Sequence, residues 1–162
     1  MKKNNYENRV ALIYGMIRKG EYELVIKKML DSRWELKKYY LHDENHSWYI
    51  LGDVFFKMKN YLFAARCFRN ALKAWPEDVD ALMAVGNCYS ELGEYRLSEK
   101  FLRKALKLNP DNLSVKFNLA NAFFDQGEFD LALQECVSIV KRKGYLQNKA
   151  KKMIKIILTN SK

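Results

Sequence analysis

Residues 48–76 hold Trp48, Leu51, Gly52 and Phe55, then Ala64, Phe68 and Ala71, and finally Pro76. The set recurs 34 residues later as Leu82, Val85, Gly86, Tyr89, Ser98, Leu102, Ala105 and Pro110. A third copy reads Lys116, Leu119, Ala120, Phe123, Ala132, Cys136, Ile139 and Gly144. A fixed period of this length means stacked supersecondary units, each burying its apolar face against its neighbours. About three units are needed for a stable array, and three are present.

Within each unit the apolar spacing is helical. One helix runs from about Asn45 to Lys57 and a second from Tyr61 to Ala74, joined at Lys59-Asn60-Tyr61. The same turn returns as Gly93-Glu94-Tyr95 and Gly127-Glu128-Phe129. Glycine there takes positive φ at a helix end, so Lys59 predicts a strained or differently shaped turn. Pro76 and Pro110 stop the second helices, because proline cannot continue them. Gly52, Gly86 and Ala120 are expected to face the small residues Ala64, Ser98 and Ala132, letting paired helices approach closely.

The pattern W-x2-L-G-x2-Y, A-x3-F, A, P resembles the tetratricopeptide repeat. The resemblance implies an all-α fold, a right-handed α-α superhelix (solenoid), and a non-enzymatic scaffold that binds protein. It divides the chain into repeats at 45–78, 79–112 and 113–146. Residues 1–44 read as a divergent N-terminal helical hairpin, with Lys19-Gly20-Glu21-Tyr22 copying the turn and a degenerate repeat at about 6–39. The turn-to-turn spacing there is 39, and the extra residues are expected around Tyr40 to Glu44. Terminal units of such arrays are atypical because one side meets water. Residues 147–162 read as a capping helix, with Ala150, Met153, Ile154 and Ile157 on one face and Lys149, Lys151, Lys152 and Lys155 opposite.

The family's first helices line the concave face. The resemblance therefore implies a peptide-binding groove containing Tyr49, Ile50, Asp53, Phe56, Met83, Asn87, Phe117, Asn118, Asn121 and Phe124. Amides hold a peptide backbone without demanding a particular side chain, and the aromatics set specificity. Asp53, Asp80, Glu91 and Asp125 outnumber Lys57, so the expected ligand is an extended or helical segment, apolar and neutral to basic. Arrays that clamp acidic chaperone tails need lysine and arginine where this chain has Tyr49, Ser114 and Asn118. That subtype is disfavoured.

Net charge is +10, and half of it sits in residues 147–162, with five basic and no acidic side chains. Arg66, Arg69, Lys100, Arg103 and Lys107 recur on the second helices, on the expected convex side. With Lys149, Lys151, Lys152 and Lys155 they offer an alternative: a basic adaptor docking on nucleic acid or an anionic membrane. No nucleic-acid motif supports it, and a solvated face explains the charges as well. The layout is also similar to small secretion chaperones that hold an extended client segment, a lesser alternative.

Catalytic signals are poor. His42 and His46 stand four apart, but Asp43 occupies the place where a metalloprotease helix needs glutamate. No metal or cofactor is expected. Cys67, Cys88 and Cys136 lack metal-ligand spacing and read as packing residues with reduced thiols. The opening Met1-Lys2-Lys3-Asn4-Asn5-Tyr6 leads into polar sequence rather than a secretory signal, and no run approaches the roughly 18 apolar residues of a membrane span. The expected location is cytoplasmic. Trp34, Tyr39 and Tyr40 of the N-terminal hairpin are candidates for a homodimer surface.

Overall fold

The computed structural model describes residues 2–142 and 144–160. Lys162, counted in the tail's charge, lies outside them. Among the described residues the chain is helical: α1 (Lys2–Arg18), α2 (Tyr22–Met29), a 3-10 turn (Leu41–Asp43), α3 (Glu44–Lys57), α4 (Tyr61–Ala74), α5 (Val79–Glu91), α6 (Tyr95–Leu108), α7 (Leu113–Asp125), α8 (Phe129–Val140) and α9 (Tyr145–Asn160). This is the expected all-α helical-repeat class. The chain divides into two units, Met1–Pro76 and Glu77–Lys162.

Four of the turns between paired helices share one hydrogen-bond pattern. Glu21, Asn60, Glu94 and Glu128 each donate a backbone N–H to the carbonyl five residues back, at 2.8–3.0 Å. The residue before each donates to the carbonyl three back. These two bonds are the Schellman closure of a helix end, and they need a left-handed residue at the turn. Gly20, Gly93 and Gly127 supply it with φ of 75–77°. Lys59 takes the same conformation at φ 59°. The turn therefore keeps its shape and Lys59 bears the strain.

In the first unit α3 packs on α4, and α2 lies against α3. Two helices, α1 and α2, precede α3, and the second of them is short. It ends at Met29, and irregular chain follows to Tyr40. The extra residues thus begin at Leu30, not at Tyr40. The reason is local: Oδ1 of Asp31 accepts the backbone N–H groups of Arg33 (2.8 Å) and Glu35 (3.1 Å), a turn that competes with helix. Those same N–H groups hold the Asp31 carboxyl below the usual carboxylate range. Leu30 and Leu36 then pair as an isolated antiparallel bridge, and Trp34 between them sits at φ 63°. Tyr40 is buried, so it offers no dimer surface, while Trp34 and Tyr39 remain exposed.

In the second unit α5 packs on α6, α6 on α7, and α7 on α8; α9 closes against α8 and α7. Ala120, Cys136, Ile139, Leu146 and Ala150 form its terminal core, flanked by Phe117, Met153 and Ile154. N-caps are supplied by Asp43, Asp78 and Asn112, each side chain accepting the N–H three residues on at 2.9–3.1 Å.

The small-residue expectation is corrected in its partner. A Cβ on Gly52 would stand 2.6–2.8 Å from the Phe68 ring, and one on Gly86 2.7 Å from Cγ of Leu102. The residues that require glycine are therefore these two large side chains rather than Ala64 and Ser98. Ser98 is fully buried and its hydroxyl has no hydrogen-bond partner among the described residues. An unsatisfied buried polar group costs about 1–3 kcal/mol. Ser98→Ala, which installs the residue found at Ala64 and Ala132, is expected to raise unfolding free energy by about 1 kcal/mol in urea titrations. Equal or lower stability would show that the hydroxyl is satisfied in solution.

Candidate functional site

In the second unit the faces of α5 and α7 place Met83, Asn87, Asn118, Asn121 and Phe124 at half-buried positions. Asn118 and Asn121 are three apart and share one helix face. Among the described residues none of the amides of Asn87, Asn118 and Asn121 makes a side-chain hydrogen bond to its own chain, in contrast to Asn112 and Asn60, which cap helices. At the C-terminal end of the same helices stand Glu91 and Asp125. Burial, and then the Glu91 charge, push the Asp125 carboxyl above the usual carboxylate range. This end of the face is electronegative and favours a cation. Phe124 packs edge-on against Phe129 at 5.5 Å.

Phe117, one turn before Asn121 and equally half-buried, has a second role. It packs on the terminal core beside α9. The 34-residue pattern does not announce this contact, which depends on where the expected capping helix docks.

In the first unit, α1 meets the face of α3 predicted to bind. Tyr14 donates to or accepts from Nε2 of His46 at 3.0 Å, and Tyr6 reaches Nδ1 at 3.3 Å. The Asp53 charge adds to burial in raising the Tyr14 hydroxyl's pKa. Asp53 itself pairs with Lys57 at 3.4 Å. Ile50 is buried at 1% exposure, so its assignment to a ligand groove is corrected: it is core. Tyr49 and Phe56 are half-buried and packed edge-on against Phe68 (5.1 Å) and Tyr61 (5.2 Å). Both nitrogens of His46 face tyrosine hydroxyls, and His42 stacks on Tyr6 at 5.3 Å. The two histidines are used in packing α1.

The basic residues differ in kind. Arg69, Lys100, Lys107, Lys151, Lys152 and Lys155 are exposed. Arg103 is not a free cation: its Nε donates to Glu99 at 2.7 Å, and its guanidinium lies 5.4 Å from the Phe123 ring centre. Lys149 lies over Tyr145, and Arg66 over Phe63. Burial pushes the Cys67 thiol up to about 12 and that of Cys136 to about 11, which disfavours the nucleophilic thiolate at both. Among the described residues no helix is long and apolar enough to cross a membrane.

Paired helices repeating at 34 residues, with two-bond turns and polar faces left open, define a helical-repeat protein of the interaction-scaffold class. A Tetratricopeptide repeat model matches residues 49–112 and 89–144, more than half of the chain. The chain belongs to the tetratricopeptide repeat family, whose members are generally non-enzymatic interaction modules. Among solved structures it is similar to MamA, at TM-score 0.68 and 18% identity over 97% of this chain and 82% of that one. A second MamA structure matches at TM-score 0.70 and 20% identity, over 92% and 77%. The first TPR of Spaghetti (RPAP3), bound to the HSP90 peptide SRMEEVD, matches at TM-score 0.63 and 16% identity, over 80% and 98%. At these identities the likeness is one of fold. No curated protein matches the chain in sequence.

Proposed function

We propose that this chain is a non-enzymatic cytoplasmic scaffold that holds an extended, apolar, neutral-to-basic segment of a partner protein across the α5–α7 face. One observation carries the reading: Asn87, Asn118 and Asn121 stand half-buried with amides unspent on their own chain. Each offers donors and an acceptor to a peptide backbone, and each such bond is worth about 0.5–1.5 kcal/mol net. Met83 and Phe124 flank the amides and select apolar side chains. Glu91 and Asp125 favour a basic residue at the end of the segment. The RPAP3 repeat holds a peptide with two glutamates and a terminal aspartate; such a ligand would meet these two carboxylates and be repelled. Tyr49 and Phe56 offer the first unit's own aromatic contacts.

The test is a pulldown with mass spectrometry, wild type against Asn87→Leu/Asn121→Leu. The double variant is expected to lose the partner with helicity unchanged, because leucine fits the half-buried sites but leaves the peptide backbone unpaired. Capture should change little between about 50 and 200 mM salt, unlike phosphate binding, which falls steeply there. A partner retained by the double variant places the binding face elsewhere.

A further inference from the structure

The first unit carries a cleft that the repeat pattern does not require. Trp34, Trp48, Phe63, Arg66 and Asn70 line a cavity of about 460 Å³ floored by Leu30 and Cys67. This lies within the size range of ligand sites. On the other side of Trp34 a second depression of about 470 Å³ runs past Lys27 and Lys37. The two share Leu30 and Trp34, so they adjoin at that residue pair.

The junction is built at a cost. Trp34 is a bulky residue at φ 63°, in the left-handed region, and it is 53% exposed. Its conformation is imposed by the loop: its N–H donates to the Asp31 carbonyl, Asp31 N–H donates to the Glu35 carbonyl, and Lys37 N–H donates to the Met29 carbonyl. Its ring stacks on Phe55 (6.1 Å) and packs at a tilt against Phe63 (5.4 Å). Strain held in place by its surroundings, at an exposed aromatic, points to recognition.

The charges are one-sided. Among the described residues no carboxylate lines the first cavity. Arg66 lies 5.5 Å from the Phe63 ring centre and has no ion-pair partner among the described residues. Asp31, the one acid among the described residues of the second depression, is engaged by two backbone N–H groups and by Arg33 at 3.6 Å. Lys27 is exposed there, and Lys37 donates to the Lys27 carbonyl at 2.7 Å.

We infer that this cleft docks an acidic peptide segment, one that sets a large apolar side chain against Trp34, Trp48 and Phe63 and places carboxylates on Arg66 and near Lys27. Arginine over an aromatic ring is suited to a flat carboxylate, which it meets with two N–H groups. Two adjoining depressions suit a chain segment, with one side chain in each, over a compact molecule. The preference is opposite in charge to that proposed for the α5–α7 face, and the two sites belong to different units.

The experiment is fluorescence anisotropy with the full chain and a labelled peptide of sequence EDFEDL, blocked at both ends, beside its basic counterpart KRFKRL. EDFEDL is expected to bind wild type and to weaken at least roughly tenfold, about 1.4 kcal/mol, in Trp34→Gly and in Arg66→Glu. Glycine accepts the left-handed φ, so Trp34→Gly removes the ring without distorting the loop. Arg66 is exposed, and its variant keeps the test decisive should Trp34→Gly lose helicity by circular dichroism. Failure of EDFEDL to bind wild type overturns the inference. So does binding that survives Arg66→Glu, or a KRFKRL affinity that equals that of EDFEDL and falls with Trp34→Gly.

Discussion

Gly52→Leu is expected to destabilise the protein by about 1–3 kcal/mol or more, the scale of overpacking a filled core. Even alanine is expected to cost, since its Cβ would lie 2.6–2.8 Å from three atoms of the Phe68 ring. That ring cannot withdraw: Phe68 is 3% exposed and Tyr49 packs against it edge-on. Each kcal/mol should lower the melting temperature by about 2–4 °C in a chain of this size. The three repeats explain why the cost is specific. Gly52 faces Phe68 and Gly86 faces Leu102, whereas the third repeat has Ala120 with Cys136. The residue gains a methyl where its neighbour is small. A double-mutant cycle on Gly52→Ala and Phe68→Cys should therefore show the second change relieving the first by about 1 kcal/mol. Additive losses in urea denaturation would refute the pairing.

Phe117→Ala and Phe124→Ala, similar in sequence terms, are expected to fail in opposite ways. Phe117 supports the core formed by Ala120, Cys136, Ile139, Leu146 and Ala150. Its truncation should cost about 2–3 kcal/mol, at or below the low end for aromatic-to-alanine changes in a core, because the ring is only half-buried. The loss should show first as faster amide exchange in α9, whose apolar residues Ile154 and Met153 pack there. Phe124 touches Phe129 and borders the unspent amides, so its truncation should weaken partner binding and cost only about 1 kcal/mol of stability. A Phe117→Ala protein with unchanged melting and lost binding would return that ring to the ligand face.

Much of the fold was legible. The turn residues at 20, 59, 93 and 127 were visible as a repeated signature, and the structure closes all four with the same two bonds. Helix limits at Lys57 and Ala74 were readable from spacing and from Pro76. What escaped was non-local. Ile50, Tyr49 and Phe56 lie on one helix, yet Ile50 is buried while Tyr49 and Phe56 are half-buried, and α1 reaches His46 on that helix. Residues 30–40 escaped as well. An aspartate holding two backbone N–H groups ended α2 early, and periodicity has no term for that competition.

The amino-acid order by itself determined that helices pair at a period of 34 and that small residues must stand at 52 and 86, since those constraints act within one unit and repeat along the chain. Which open positions remain available was decided by tertiary contact. The core beside α9 engages Phe117, Ile50 is buried within the first unit, and the loop bridged from Leu30 to Leu36 leaves Trp34 exposed. The physical reason is that burial belongs to pairs of surfaces, and the terminal elements that supply the second surface carry no repeat to announce where they will land.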